Sequence, residues 1–432
     1  MKRFITLLTL FIITFPARAD LHEYVKKPEP AYSWKLKEKN TFPQGTIYEL
    51  HLVSQEWQKI KWEHALVIYQ PKDSKPRDVM FLWNTGGKPN LVNNALALQI
   101  ANHVGAPIAF LYDIPNQPLF EGKKEDALIA ETFVRCLQTK DDSWPLLFPM
   151  VKSVIKSMDA IQAFAKEEWK FEVKKFVVSG ASKRGWTSWL TAATADPRVK
   201  AIAPLVIDML NLTEQMPHQV KCFGKYSDMI ADYTKRELVP IPDTPDAKKL
   251  WQCVDPWAYR EKLTQPKMII LGTNDPYWTQ DALNLYWNDL KGDKWILYVP
   301  NAGHGLDQQM EDGKKDRTRA LMTLAAFAKH QTNDTPMPKL SWKHEGDDCC
   351  TLAVKCDPMP KSTRVWMTES KTLDFRKSKW TESPTKLEKE AICCECFCPK
   401  DGYRAFFAEC EFEIEGLRYY LSTQLRVVGK GK

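Results

Sequence analysis

Glycine is scarce in this sequence of 432 residues, and its 18 glycines and 28 prolines are too few for collagen-like or low-complexity architecture. No block of lysine and arginine stands alone. The 61 basic residues are interleaved with 54 acidic ones, for a formal net charge of +7, which is not the footprint of a nucleic-acid binder. Beyond Phe15 no run approaches the about 20 apolar residues that a membrane helix needs, so no membrane span is expected. No internal repeat stands out. What is present, 44% hydrophobic and 11% aromatic residues, describes a globular protein too apolar for disorder. At about 100–200 residues per domain, the length predicts two or three domains.

The N-terminus reads as an export signal. Lys2 and Arg3 precede an apolar run from Phe4 to Phe15, Pro16 ends it, and Ala17-Arg18-Ala19 has the small-x-small pattern of a cleavage site before Asp20. The run is too short to span a bilayer. Residues 1–19 are therefore expected to be removed, with the loss of Lys2, Arg3 and Arg18 and a fall in net charge to +4. The mature chain is expected in the periplasm or outside the cell, where disulfides persist.

Further along, Thr46 to Gln70 alternates like a hairpin, and short apolar strands are predicted at Val79 to Trp83, Pro107 to Tyr112, Phe176 to Val178, Val199 to Ile207, Met268 to Leu271 and Trp295 to Val299. Helical spacing falls between them, at Asn94 to His103, Ala127 to Leu137, Met150 to Ala165, Trp186 to Thr194 and Asp281 to Leu290, and follows at Thr318 to His330. Buried strands alternating with helices predict an α/β fold: a mostly parallel sheet with helices on both faces, over residues 20–335. Residues 211–259 break the rhythm and read as an insertion over the strand ends. After about Thr335 the pattern becomes short alternating strands, an all-β, Cys-rich domain over 336–432.

Gly180-Ala181-Ser182-Lys183-Arg184-Gly185 lies where a buried strand meets a helix. That is the setting of a nucleophile elbow, in which a sharp turn lifts a serine hydroxyl above the sheet edge, here as G-x-S-x-x-G because Arg184 takes the place of the usual second glycine. A serine hydroxyl needs a base, and the base needs an orienting carboxylate. In the α/β-hydrolase fold they follow in the order serine, acid, histidine, after later strands. Asp275 follows the strand ending at Leu271, and His304 follows the strand ending at Val299. Asp208, after the strand from Val199, is the rival acid, more simply read as shaping the pocket. The oxyanion is expected to meet the amide of Lys183 and a donor from the loop Asn84 to Gly87, around Gly86 and Gly87. Lys183 and Arg184 add positive charge, either for an oxyanion or a substrate carboxylate or as solvated residues at a helix start. No metal and no cofactor is called for.

From Ser179 to Leu190 the chain resembles the PhoPQ-activated pathogenicity-related proteins, and the likeness returns at Asp196-Pro197-Arg198-Val199-Lys200-Ala201-Ile202, Asp255-Pro256 and Pro300-Asn301-Ala302-Gly303-His304. The resemblance covers roughly the first 330 residues. It implies an exported α/β-hydrolase-like domain with Ser182, Asp275 and His304 where a hydrolase triad would sit, and it implies no substrate. The elbow is also similar to that of glucuronoyl esterases, with Gly185 matching and Lys183 standing at their arginine position.

Eleven cysteines are an odd number, unevenly placed. Cys136, Cys222 and Cys253 lie in the first part, with a Cys222–Cys253 bridge across the insertion as the first guess. Cys349, Cys350, Cys356, Cys393, Cys394, Cys396, Cys398 and Cys410 lie beyond the boundary. Cys393 and Cys396 have zinc-like spacing, but no second pair completes a four-ligand set, so disulfides are the better reading. The sequence thus predicts an exported serine hydrolase acting on a small-molecule ester, or in second place a peptide. A non-catalytic binding or signalling protein on the same fold is the alternative. A third reading gives the C-terminal domain a surface partner.

Overall fold

The computed structural model describes residues 21–309, 313–346, 349–383, 385–388 and 391–430, with backbone alone at 349–350, 386–388 and 391–397. The expected export signal lies outside the described residues, as do the side chains of five of the C-terminal cysteines.

Nine strands form the body of one sheet: β1 (Ser33–Phe42), β2 (Gly45–Trp57), β3 (Ile60–Pro71), β4 (Val79–Asn84), β5 (Ile108–Leu111), β6 (Lys175–Ala181), β7 (Val199–Leu205), β8 (Lys267–Gly272) and β9 (Lys294–Val299). They lie in the order β1-β2-β3-β5-β4-β6-β7-β8-β9. The first three are antiparallel, as the hairpin pattern predicts, and every pair from β5 to β9 is parallel. The short apolar runs form parallel strands because both faces are covered. Met80 and Leu82 of β4 enter one hydrophobic cluster, while Val79 and Phe81 enter the other.

One face carries α1 (Leu21–Lys26), and the other α2 (Leu91–Val104). On the first face follow α3 (Glu125–Thr139), α4 (Leu147–Phe164) and α5 (Lys183–Ala193). Two helices, α6 (Leu212–Phe223) and α7 (Pro245–Val254), lie in the predicted insertion between β7 and β8. Asp255 fixes that insertion by accepting from the amides of Asn211, Leu212 and Trp257, which caps α6 and the turn that follows α7. The last helix, α8 (Thr318–Thr332), packs with α2 on the second face. No helix among the described residues is long and apolar enough to cross a membrane.

Three expectations are corrected. The predicted helix at Asp281 to Leu290 is two short 3₁₀ turns, Ala282–Leu285 and Trp287–Asp289, broken at Tyr286, whose φ of −145° is not helical. Tyr286 instead donates to Asp208 in the core, so tertiary demand overrides the local periodicity. The Cys222–Cys253 bridge is not formed: Cys222 Sγ lies 3.5 Å from His218 Nε2 on the same helix. The third concerns the C-terminal strands, expected to form a domain of their own. A separate four-stranded sheet contains β10 (Lys339–Glu345) and β11 (Cys349–Asp357). The strands β12 (Ser362–Ser370), β13 (Gly402–Ile414) and β14 (Leu417–Ser422), however, continue the main sheet, with Ser422 paired to Ile296 of β9. The reason is an edge: β14 covers part of the open edge of β9, pairing at Ser422 and Ile296, while α8 packs across the junction.

The junction is held by a buried ion pair. Arg319 of α8 lies 2.5 Å from Glu409 of β13, whose side chain is fully buried, with Arg364 at 3.5 Å. Removing one partner leaves an uncompensated buried charge. Arg319→Met is expected to lower stability by about 3 kcal/mol, read as a lower urea midpoint, and Glu409→Gln by less, because the amide buries no charge.

Candidate active site

Ser182 stands between β6 and α5 at φ 58° and ψ −124°, a conformation that side-chain-bearing residues rarely hold. The surroundings enforce it. Its amide donates to Leu205 O at 2.9 Å, and the carbonyl of Ser182 accepts from Trp186 to start α5. The two flanking glycines of the motif are there for close approach. A Cβ on Gly180 would lie 2.6 Å from Asn84 Nδ2 and 2.7 Å from Arg184 O, and one on Gly185 would lie 2.7 Å from Ile207 Cγ2. Asn84, at the end of β4, locks the turn from the side by donating to Ser179 O, Arg184 O and Ser188 Oγ. One strand further on, Val206 also holds a positive φ, 47°, with its amide on Ile270 O.

The two other strand-end residues converge on Ser182. His304 Nε2 is 2.9 Å from Ser182 Oγ, and His304 Nδ1 is 2.8 Å from Asp275 Oδ2. The second oxygen of Asp275 accepts from the amide of Tyr277 at 2.9 Å, and the Tyr277 ring lies against the imidazole with centroids 4.2 Å apart. Asp275 is buried while His304 keeps a side-chain exposure of 26%, so the relay opens to solvent on the serine and histidine side. Chemically, such a relay can take a proton from the hydroxyl at Nε2 while the carboxylate holds Nδ1–H and stabilises the imidazolium.

Asp208 is elsewhere. It is fully buried, Tyr286 donates to it at 2.6 Å, and burial pushes its carboxyl up to about 8. Claimed by Tyr286 in the core, it makes no contact with His304 and takes no part in orienting it.

Lys183 and Arg184 are not free cations. Lys183 Nζ lies 2.9 Å from Asp126 and 3.4 Å from Glu125, and Arg184 makes two 2.7 Å bonds to Glu125 as well as one to Ile114 O. Burial would raise the Glu125 carboxyl, but Arg184, with Lys183, outweighs it and holds the group down to about 2. Gly86 lies directly beneath the Arg184 guanidinium, and Gly87 accepts from Asp113 N. Neither glycine is among the residues lining the cleft in front of Ser182.

That cleft is narrow, with a cavity volume of about 40 Å³ behind its open mouth. Its walls are mostly apolar, with Trp186, Met209, Met216, Ile230, Trp251 and Trp278 prominent, so the insertion supplies much of its lining. Sequence patterns missed Glu125, Asp126 and Tyr277. The first two stand at the start of α3, far along the chain from the elbow they neutralise, and no motif marks them.

The C-terminal part reaches the same place. Asn274 donates to Ser378 O, and Asn301 exchanges two hydrogen bonds with the backbone of Trp380. The loops before Asp275 and His304 are thus both pinned by residues beyond position 335.

The two carboxylates separate cleanly in a test. Asp275→Asn is expected to lower kcat for a small ester by about 10⁴-fold, because the amide favours the wrong imidazole tautomer. Asp208→Asn, which keeps an acceptor for Tyr286, is expected to leave kcat within about threefold, since a substitution that buries no new charge and keeps its partner is mild. Steady-state kinetics on the two purified variants checks both.

The chain is similar to known proteins on two levels. Over 455 aligned residues it is 30% identical to the autocrine proliferation repressor protein A of Dictyostelium discoideum, covering 95% of this chain and 90% of that one. Among solved structures it is similar to acetyl xylan esterase 1 from a Thermoanaerobacterium species, with a TM-score of 0.47 and 13% identity over 66% of this chain and 86% of that chain. The glucuronoyl esterase from Solibacter usitatus gives a TM-score of 0.44 and 11% identity over 70% and 87%. The family profile matched by residues 21–376 spans the elbow and both strand-end loops: the chain belongs to the PhoPQ-activated pathogenicity-related protein family.

Proposed function

We propose that the protein is a serine hydrolase that cleaves an uncharged ester with an apolar acyl group. The observation that carries the reading is the relay Asp275–His304–Ser182 on a strained turn at the sheet edge. Ser182 Oγ attacks the ester carbonyl as His304 Nε2 takes its proton. His304 then returns that proton to the leaving alkoxide, and water repeats the sequence on the acyl-enzyme. Asp275 holds the imidazole and stays ionised throughout. Developing negative charge on the carbonyl oxygen meets the amide of Lys183, an unsatisfied donor at the first turn of α5.

The acyl preference rests on the lining. The cations beside Ser182 are already paired with Glu125 and Asp126, so no unpaired charge there favours a substrate carboxylate. The aromatic and aliphatic walls favour apolar groups, with each buried methylene contributing about 0.8 kcal/mol, about fourfold in kcat/KM. Export, read from the N-terminal pattern, is part of the proposal.

A second reading comes from the Dictyostelium relative, described as a proliferation repressor: a secreted signalling protein on a hydrolase fold. One set of measurements separates the two. A fluorophosphonate probe is expected to label Ser182. Rates on p-nitrophenyl esters are expected to rise from acetate to hexanoate and to fall for a succinyl ester, and Ser182→Ala is expected to lose activity by about 10⁴-fold or more. Unlabelled folded protein, with Ser182→Ala indistinguishable from wild type, overturns the hydrolase reading and leaves the signalling one.

A further inference from the structure

In the insertion and the segment it packs on, three chemically different donors that take no part in the serine relay meet. His218 and Cys222 sit four residues apart on α6, and so on one face of that helix. Asp281 faces them from the segment that follows the Asp275 loop. His218 Nε2 lies 2.8 Å from Asp281 Oδ1 and 3.5 Å from Cys222 Sγ, and all three donor atoms lie within 4.8 Å of one another. A tetrahedral ion with bonds of about 2.0–2.3 Å keeps its ligand atoms roughly 3.3–3.8 Å apart: the His218–Cys222 separation falls in that range, while His218 and Asp281 would part by about half an ångström to admit the ion.

His218 and Asp281 form an ordinary hydrogen-bonded pair, and the Cys222 sulfur stands beside the same ring nitrogen as a weak second partner, which a metal ion would replace with a bond to each. A thiolate, a carboxylate and a neutral imidazole together carry two negative charges, which a divalent ion neutralises.

The scaffold holds both sides of the cluster in place. Gln215 of α6 donates to Ala282 O and Gln219 to Tyr277 O, which locks the helix onto the segment bearing Asp281. Cys222 is buried, while His218 and Asp281 keep side-chain exposures of 18% and 21%, so an ion has an entry path and a solvent-facing position.

We propose that His218, Cys222 and Asp281 form a binding site for a divalent transition-metal ion of zinc character, with water in the fourth position. The mixed nitrogen, sulfur and oxygen set suits Zn²⁺ over Ca²⁺ or Mg²⁺, which take oxygen ligands. The ion clips the insertion to the segment that follows Asp275. It stands outside the relay and takes no part in the chemistry at Ser182.

The test uses the full chain, stripped with a chelator and titrated with Zn²⁺ and, separately, with Co²⁺. Stoichiometric Zn²⁺ binding and a thiolate-to-cobalt charge-transfer band are expected. Both should be lost in Cys222→Ser and His218→Ala, with affinity down by at least about 100-fold, the upper end of what even a metal's outer partners contribute. Near-UV circular dichroism of each variant should match the stripped wild-type chain. Should either variant fail to fold, Asp281→Asn, which keeps shape and a hydrogen bond to His218, takes its place. A wild-type chain that binds no Zn²⁺ overturns the proposal. So does a cobalt–thiolate band that persists in Cys222→Ser, which assigns the metal to other cysteines, and so does undiminished affinity in Asp281→Asn, which removes the carboxylate from the ligand set. Fluorophosphonate labelling of Ser182 is independent of every one of these readouts, so a failure here leaves the hydrolase reading standing.

Discussion

Everything at the candidate site depends on a backbone turn that cannot relax. Ser182 is held at positive φ because a buried strand must become a buried helix within one residue, with its amide on Leu205 O and the Asn84 side chain clamping Ser179, Arg184 and Ser188. The clearance around Gly180 and Gly185 is too small for a Cβ. Strain of this kind costs of order 1–3 kcal/mol and persists only when packing over-determines it, which the parallel sheet does here from both faces. With the serine thus fixed, His304 and Asp275 need only emerge from the ends of neighbouring strands to meet it.

The electrostatics of the cleft follow from a second set of pairings. A lysine and an arginine at the start of α5 face the unfavourable end of the helix dipole. Glu125 and Asp126, themselves in the first turn of α3, compensate them. The result is a site with positive residues in its sequence and little unpaired positive charge in its structure. That is why the apolar walls, and not the elbow's cations, govern the proposed acyl preference.

The C-terminal strands belong to the same mechanical unit. They extend the sheet beyond β9, bury Glu409 against Arg319, and send residues 375–380 back to grip Asn274 and Asn301. Those asparagines flank Asp275 and His304, so the position of the relay is set partly by a segment on the far side of the expected domain boundary. The insertion acts from the opposite side through Gln215 and Gln219, which hold the segment after Asp275 to α6.

Much of this was legible in the chain itself. Strand-period runs, helical spacing and the Gly-x-Ser turn are local, so they identify the parallel sheet, the elbow and the two strand-end residues Asp275 and His304 without any knowledge of contacts. What stayed hidden is long-range. The sequence already favours Asp275 over Asp208 as the orienting acid, but that Tyr286 claims Asp208 in the core is visible only in the structure. The pairing of Lys183 with Asp126, the helix that fails at Tyr286, and the meeting of His218 and Cys222 with Asp281 all join residues far apart in sequence, where no periodicity records the contact. Sequence by itself determined which backbone shapes were favourable, because those are set by neighbours along the chain. Only the tertiary structure decided which charges are neutralised, which carboxylate faces the histidine, and where the C-terminal strands end, because those depend on what packing brings together.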